Sequence, residues 1–231
     1  MAEPAALSAD ALARRRDAVG DLGDALRELV DAAVLTEVAE EELAAVAGAV
    51  REQAALLRTR ARELTGIAAV DDPEVGERWY NPVYGPGNPL AVPLSVVRSE
   101  GGRVSARVTL GKPYEGPPGL VHGGFIATML DHVLARAARS AGHGGLTSTL
   151  TVRFRRPVPL GAPLLLEATL ETTEGRRSTS RATLALAETP DVPLAEGEAV
   201  LVALRADRAA EVFAPTGRDV RAWTSRAPGG D

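Results

Sequence analysis

Eleven residues, Val121-His122-Gly123-Gly124-Phe125-Ile126-Ala127-Thr128-Met129-Leu130-Asp131, combine a histidine, a glycine pair and one carboxylate in an otherwise apolar run. Glycine is a poor helix former, and a buried carboxylate is costly. A helix that accepts both penalties has a chemical use for them. Without Cβ atoms, Gly123 and Gly124 let a ligand oxygen reach the first, unpaired N–H groups of the helix. The helix dipole adds about half a positive charge there. That arrangement suits an oxyanion developing on a carbonyl. Asp131 follows His122 by nine residues, among Phe125, Ile126, Met129, Leu130, Val133, Leu134 and Ala137, so partial burial is expected. The competing readings are a tight loop-to-helix junction that merely needs glycine, and an exposed or paired Asp.

Arginines form a second signal. Arg153 and Arg155 share one face of a predicted strand, because side chains alternate. Arg176, Arg177 and Arg181 lie at the start of a neighbouring one. Five guanidiniums converging on one edge would suit a phosphorylated ligand. The alternative is a solvated face paired with Glu167, Glu171 or Glu174.

Other chemistries lack their residues. His132 is expected to point away from Asp131, and His143 sits in a Gly-rich helix exit. Neither has a partner at metal-ligand spacing, so no metal is expected. No phosphate-binding glycine loop, dinucleotide fingerprint or Gly-x-Ser-x-Gly elbow occurs.

These residues need elements to position them. Residues 8 to about 65 read as two helices, with Ser8 and Thr36 as expected N-caps and Gly66 as the stop. The first carries Leu12, Val19, Leu22, Leu26, Leu29, Val30 and Ala33; the second carries Leu43, Val46, Val50, Leu57 and Leu64. A helical hairpin packed on the main domain or on a dimer partner is expected. Residues 72–91 hold turn chemistry: Asp72-Pro73, Asn81-Pro82 and Gly85-Pro86-Gly87-Asn88-Pro89. Val92 to Arg98 and Arg103 to Leu110 flank a Glu100-Gly101-Gly102 hairpin signal. A loop over 111–119 leads to the helix at 123 to about 140, which ends at Gly142 to Gly145. Strands follow over 146–155, 164–173, 178–188 and 195–205, the first alternating Leu146, Ser148, Leu150, Val152 and Phe154 against Thr147, Thr149, Thr151, Arg153 and Arg155. A helix apolar all round must be enclosed, and a twisted antiparallel sheet wrapped around it does this economically. The division is a helical extension (1–70), a Pro/Gly-rich linker (71–91), a core domain (92–206) and a polar tail (207–231), poorly ordered towards its end.

Composition agrees with a soluble chain. The 231 residues are 45% hydrophobic, with a formal net charge of −5, so overall charge favours no nucleic acid. Nearly all basic residues are Arg, and cysteine is absent, which removes disulfides and thiolate chemistry. No run of about 18 apolar residues occurs, so no membrane span is expected and a cytoplasmic protein is the default.

The segment Tyr114-Glu115-Gly116-Pro117-Pro118-Gly119-Leu120-Val121-His122-Gly123-Gly124, with Ala127-Thr128-Met129-Leu130-Asp131, resembles the hotdog-fold acyl-CoA thioesterases of the PaaI-like type. Leu150 to Gly161 and Glu174-Gly175-Arg176-Arg177 match as well. The resemblance covers roughly 90–206 and leaves out the helices before it. It implies an α+β hotdog fold, a curved antiparallel sheet around one long helix, as the pattern suggests. It also implies a homodimer or homotetramer with active sites at subunit interfaces. The Gly123 N–H would hold the thioester oxygen, and Asp131 would act as nucleophile or general base. Thr147 would assist, and His122 would shape the loop and substrate entry. Gly124, Arg153, Arg155, Arg176, Arg177 and Arg181 would bind substrate, the arginines at the coenzyme A portion. Glu115 and Gly116 stand where family members carry a variable polar residue, whose role is unassigned. No cofactor is implied, since coenzyme A belongs to the substrate. The main reading is thioester hydrolysis. A hydratase would need an acid/base partner five residues from Asp131, where Arg136 stands. A non-catalytic acyl-CoA sensor would not need Asp131.

Overall fold

The computed structural model describes residues 7–72 and 77–216. Its centre is one antiparallel sheet: β1 (Ser95–Glu100), β2 (Arg103–Thr109), β3 (Leu146–Phe154), β4 (Pro163–Glu174), β5 (Arg177–Leu186) and β6 (Pro193–Val202). Strand order is β1-β2-β4-β5-β6-β3, which leaves β3 at an edge. The expected hairpin joins β1 to β2, with Glu100 opposite Arg103. Gly101 and Gly102 take φ of 56° and 79°, which only glycine adopts at low cost.

The helix α3 (Gly123–Ser140) lies against the sheet. It ends as its glycines suggest: Gly142, at φ 82°, donates to the Arg139 carbonyl and His143 to that of Ala138, satisfying two terminal carbonyls. Ile126, Met129, Leu130, Val133, Leu134, Ala137 and Ala138 are buried against inward residues such as Ala106, Leu166, Leu184 and Leu201. A Cβ on Gly197 would lie 3.2 Å from Leu134 and 3.3 Å from Leu130, so this glycine sets how closely helix and sheet approach.

The helix is not apolar all round, however. Asp131, His132, Ala135, Arg136, Arg139 and Ser140 fall at i, i+1, i+4, i+5, i+8 and i+9, a stripe turned away from the sheet. Segment 77–84 faces this stripe: Tyr84 stacks on His132. The enclosure is therefore sheet on one side and linker on the other.

The helix α1 (Ala9–Leu35) holds that linker in place. Ser8 caps it, accepting from Ala11 N at 3.3 Å. Val19 and Leu12 pack with Ala68, Val70, Trp79 and Tyr80. Gly23 rests on the backbone of Pro86, where a Cβ would fall 2.0 Å from the carbonyl oxygen. Arg27 donates to the carbonyls of Asn88 and Pro86, both at 2.9 Å. Arg16 donates to Glu77 at 2.7 Å and to the Val70 carbonyl at 2.9 Å.

The helix α2 (Glu40–Arg58) departs from expectation. Thr36 does not cap it; its hydroxyl accepts from Val38 N, and Glu42 reaches back to Ala39 N at 3.2 Å. Thr59, not Gly66, closes the helix, and Leu64 lies beyond it, fully exposed. None of its residues is buried within this chain. At the start of the tail lie α4 (Ala206–Phe213), with Ala209 buried, and a 3₁₀ turn at Ala214–Thr216. The rest of the tail, and Pro73 of the Asp72-Pro73 turn, lie outside the described residues. Among the described residues no helix is long and apolar enough to cross a membrane.

Candidate active site

Asp131 and Thr147 come together: the Thr147 hydroxyl donates to Asp131 Oδ1 at 2.9 Å. Simple alternation does not explain this, since it puts Thr147 on the face opposite Leu150 and Val152. A bulge at Ser148 corrects the phase. Thr147 pairs with Leu201 but Thr149 with Val200, and the extra residue turns Thr147 inward towards α3. Asp131 is half-buried in a cleft of about 280 Å³, bounded by Arg78, Asn81 and Tyr84 as well as Thr147.

His132 shares that cleft instead of pointing elsewhere. Its ring stacks on Tyr84 with centroids 4.7 Å apart. Nε2 is buried without a hydrogen-bond partner among the described residues. Burial first, then the charges of Arg136 and Arg139, pushes its pKa down to about 3, so the ring is neutral near neutral pH. Burial also lowers Arg139, with Tyr84 opposing and Arg136 adding to the shift.

At the other end of α3, His122 is the N-cap. Its Nδ1 accepts from Gly124 N at 3.0 Å, and its own N–H donates to the Tyr114 carbonyl at 2.9 Å. Within this chain the Gly124 N–H is thereby engaged by the His122 ring. The Gly123 N–H bonds no group among the described residues. The Phe154 ring lies beside Gly123, 3.3 Å from where a Cβ would stand.

The loop that delivers His122 explains Glu115 and Gly116. Glu115 accepts from Gly119 N at 2.8 Å and pairs with Lys112 at 2.5 Å; these contacts, Lys112 foremost, hold its carboxyl below the usual range. A Cβ on Gly116 would lie 2.8 Å from His122 Cα, so glycine is required there.

Gly123 and Asp131 are eight residues apart on one helix, about 12 Å along its axis. No single ligand carbonyl touches both within one chain.

The arginines divide as well. Arg155 pairs with Glu196 at 2.8 Å, and Arg181 pairs with Glu171 and Glu198 at 2.8 and 2.9 Å. Arg153 stands opposite Glu196 and Arg177 opposite Val202, six residues or about 20 Å apart along β6. Arg176 donates to the Ala203 carbonyl at 3.1 Å. The five guanidiniums thus do not converge within one chain. Arg153 and Arg155 flank Phe154, at the Gly123 end; Arg177, Val202 and Leu146 form one row across the sheet, at the Asp131–Thr147 end.

Among the described residues no three His, Cys, Asp or Glu side chains gather to hold a metal. Beyond Asp131 and Thr147, the cleft draws on Arg78, Asn81, Tyr84, His132 and Arg139, which sequence reasoning passed over. The spacing of the polar stripe on α3 was the available sign.

The thioesterase superfamily family model matches residues 118–189. The crystal structure of a thioesterase superfamily protein superposes with a TM-score of 0.71 at 35% identity, covering 80% of this chain and 94% of that one. The chain belongs to the thioesterase superfamily. Coverage of 80% reaches well outside 92–206, so that superfamily member shares part of the N-terminal region too. Other matches are shorter. The acyl-coenzyme A thioesterase THEM4 of Xenopus laevis is 44% identical over 66 residues, 28% of this chain and 30% of its own length. The acyl-coenzyme A thioesterase THEM5 of Homo sapiens is 34% identical over 67 residues, 29% of this chain and 27% of its own length. The matched segment spans under a third of these curated superfamily members. The sheet wrapped on α3 is the hotdog fold.

Proposed function

We propose that this chain is an acyl-CoA thioesterase, hydrolysing a thioester to a free acid and coenzyme A. The observation that carries the reading is the Thr147 hydroxyl on Asp131, in a cleft open to a ligand. Asp131 either attacks the thioester carbonyl or takes a proton from the attacking water. Thr147 orients the carboxylate. The Gly123 N–H, backed by the helix dipole, receives the developing oxyanion. His122 holds the helix start in shape, with its Nδ1 accepting from Gly124 N. The chemistry needs water and protein atoms alone. No second acid/base group stands on α3 five residues from Asp131, where Arg136 is found, so hydration of a double bond fits poorly.

The 12 Å between Gly123 and Asp131 supports a site shared by two chains. β3 is an edge strand. Paired antiparallel with its copy about Leu150–Thr151, it would set Thr147 of one chain against Phe154 of the other. The Gly123 end of one subunit would then meet the Asp131 end of its partner. Arg153 and Arg155 of one chain would approach Arg176 and Arg177 of the other, so that the phosphate-binding edge is completed by assembly. Arg181, tied to two glutamates, contributes least.

An acyl-CoA panel of short, long and aryl chains, with thiol release as the readout, tests the reading. Turnover of at least one member is expected, and tight acyl-CoA binding with no thiol released would replace hydrolysis with sensing.

A further inference from the structure

A second cavity of about 560 Å³ lies farther along α3, under segment 77–84 and against β1. Tyr84 and Arg139 line both this cavity and the Asp131 cleft, so the two are neighbours across the Tyr84 ring. Leu94 and Val96 give it apolar surface; Ser99, Ser140, Arg136 and Arg139 give it polar surface. Arg136 Nε donates to Ser99 Oγ at 3.0 Å, and its guanidinium carbon lies 5.8 Å from the Tyr84 ring centroid. No carboxylate among the described residues forms an ion pair with Arg136. Glu77 also borders the cavity, but Arg16 at 2.7 Å and Trp79 Nε1 at 3.2 Å engage its carboxylate. The charges of Arg136 and Arg139 reach as far as His132 and help keep that ring neutral. The cavity therefore combines the Leu94–Val96 wall with a polar lining that carries the Arg136 guanidinium, and it shares Tyr84 and Arg139 with the Asp131 cleft.

Building on the thioesterase reading, we propose that this cavity receives the distal end of the acyl group and that Arg136 selects acyl groups ending in a carboxylate. A thioester carbonyl at Asp131 puts the distal end five to eight residues along α3, about 7.5 to 12 Å away. A medium-length dicarboxylic acyl chain spans that gap. Its methylenes pass Tyr84 and the Leu94–Val96 wall, and its carboxylate meets the Arg136 guanidinium, where a fork of donors suits two oxygens. A plain acyl chain of equal length leaves the guanidinium without an anion and buries its own methyl against a charge.

The test compares adipoyl-CoA with hexanoyl-CoA, and suberoyl-CoA with octanoyl-CoA, as kcat/KM ratios on the full chain. The wild-type protein is expected to favour the dicarboxylic member of each pair. Arg136→Gln is expected to shrink that ratio by roughly ten- to a hundredfold, the worth of a charge-assisted hydrogen bond. Arg136→Lys, which keeps the charge, is expected to recover part of it. Because the readout is a ratio within one preparation, partial misfolding cancels. A wild-type enzyme without the preference, or Arg136→Gln lowering both members equally, overturns the proposal while leaving thioester hydrolysis intact. The second pattern would assign Arg136 to the phosphates of coenzyme A, common to every substrate. Hydrolysis of none of these four, with turnover elsewhere in the acyl-CoA panel, overturns this proposal alone; hydrolysis of no member of either set overturns both readings.

Discussion

Asp131→Asn is expected to lower kcat by on the order of 10²- to 10⁴-fold, the usual worth of a positioned acid/base or nucleophilic carboxylate. The substitution keeps shape and volume. The Asn oxygen still accepts from Thr147, whose hydroxyl now reaches Oδ1 at 2.9 Å. Asp131 is half-buried and makes no ion pair among the described residues, so removing its charge strands no cation. Thermal stability and coenzyme A affinity are therefore expected to persist while thiol release fails. Thiol release at the wild-type rate would remove Asp131 from the chemistry.

Gly123→Pro is the second large effect, expected to cost about 10²- to 10³-fold in kcat, as loss of one oxyanion donor does. Proline is well tolerated at the first position of a helix, where its missing N–H has no helical partner. The preceding residue must be extended, and His122 already is, at φ −65° and ψ 132°. The substitution thus deletes the one unengaged donor at the helix start without asking the helix to unwind. Gly123→Ala is the control. It places the same Cβ against the Phe154 ring, which is 57% exposed and has room to move. Alanine retaining most activity while proline loses it would assign the effect to the N–H. Equal losses would assign it to crowding at Phe154.

The parts of the fold that local rules govern were legible in the sequence. Glycines at 101, 102 and 142 mark turns because positive φ is required there. Alternation located the strands, and the His-Gly-Gly lead-in with Asp131 marked both ends of the proposed site. Three features were not legible, each for a physical reason. Thr147 reaches Asp131 through a bulge at Ser148, and no residue type announces where a strand will slip by one. The stripe from Asp131 to Ser140 was masked by the apolar residues around it, because apolar count says little about which face stays polar. Its cover depends on Gly23 seating against Pro86 and on Arg27 holding the Pro86 and Asn88 carbonyls, contacts about 60 residues apart in the chain. Helix ends in the 36–66 region misled because Thr36 and Gly66 have the right chemistry for caps, while Glu42 and Thr59 perform it.

In the proposed shared site, one helix contributes its start to one site and its middle to another. Mixing the two impaired chains tests this directly. In a dimer of Asp131→Asn with Gly123→Pro, one site collects both lesions and the other collects neither. Unfolding and refolding the two variants together in equal amounts makes half the dimers mixed, each with one intact site of two. Recovery of about a quarter of wild-type thiol release is expected. Activity no higher than the mean of the two variants alone would place Gly123 and Asp131 in the same site of one chain and contradict the shared site.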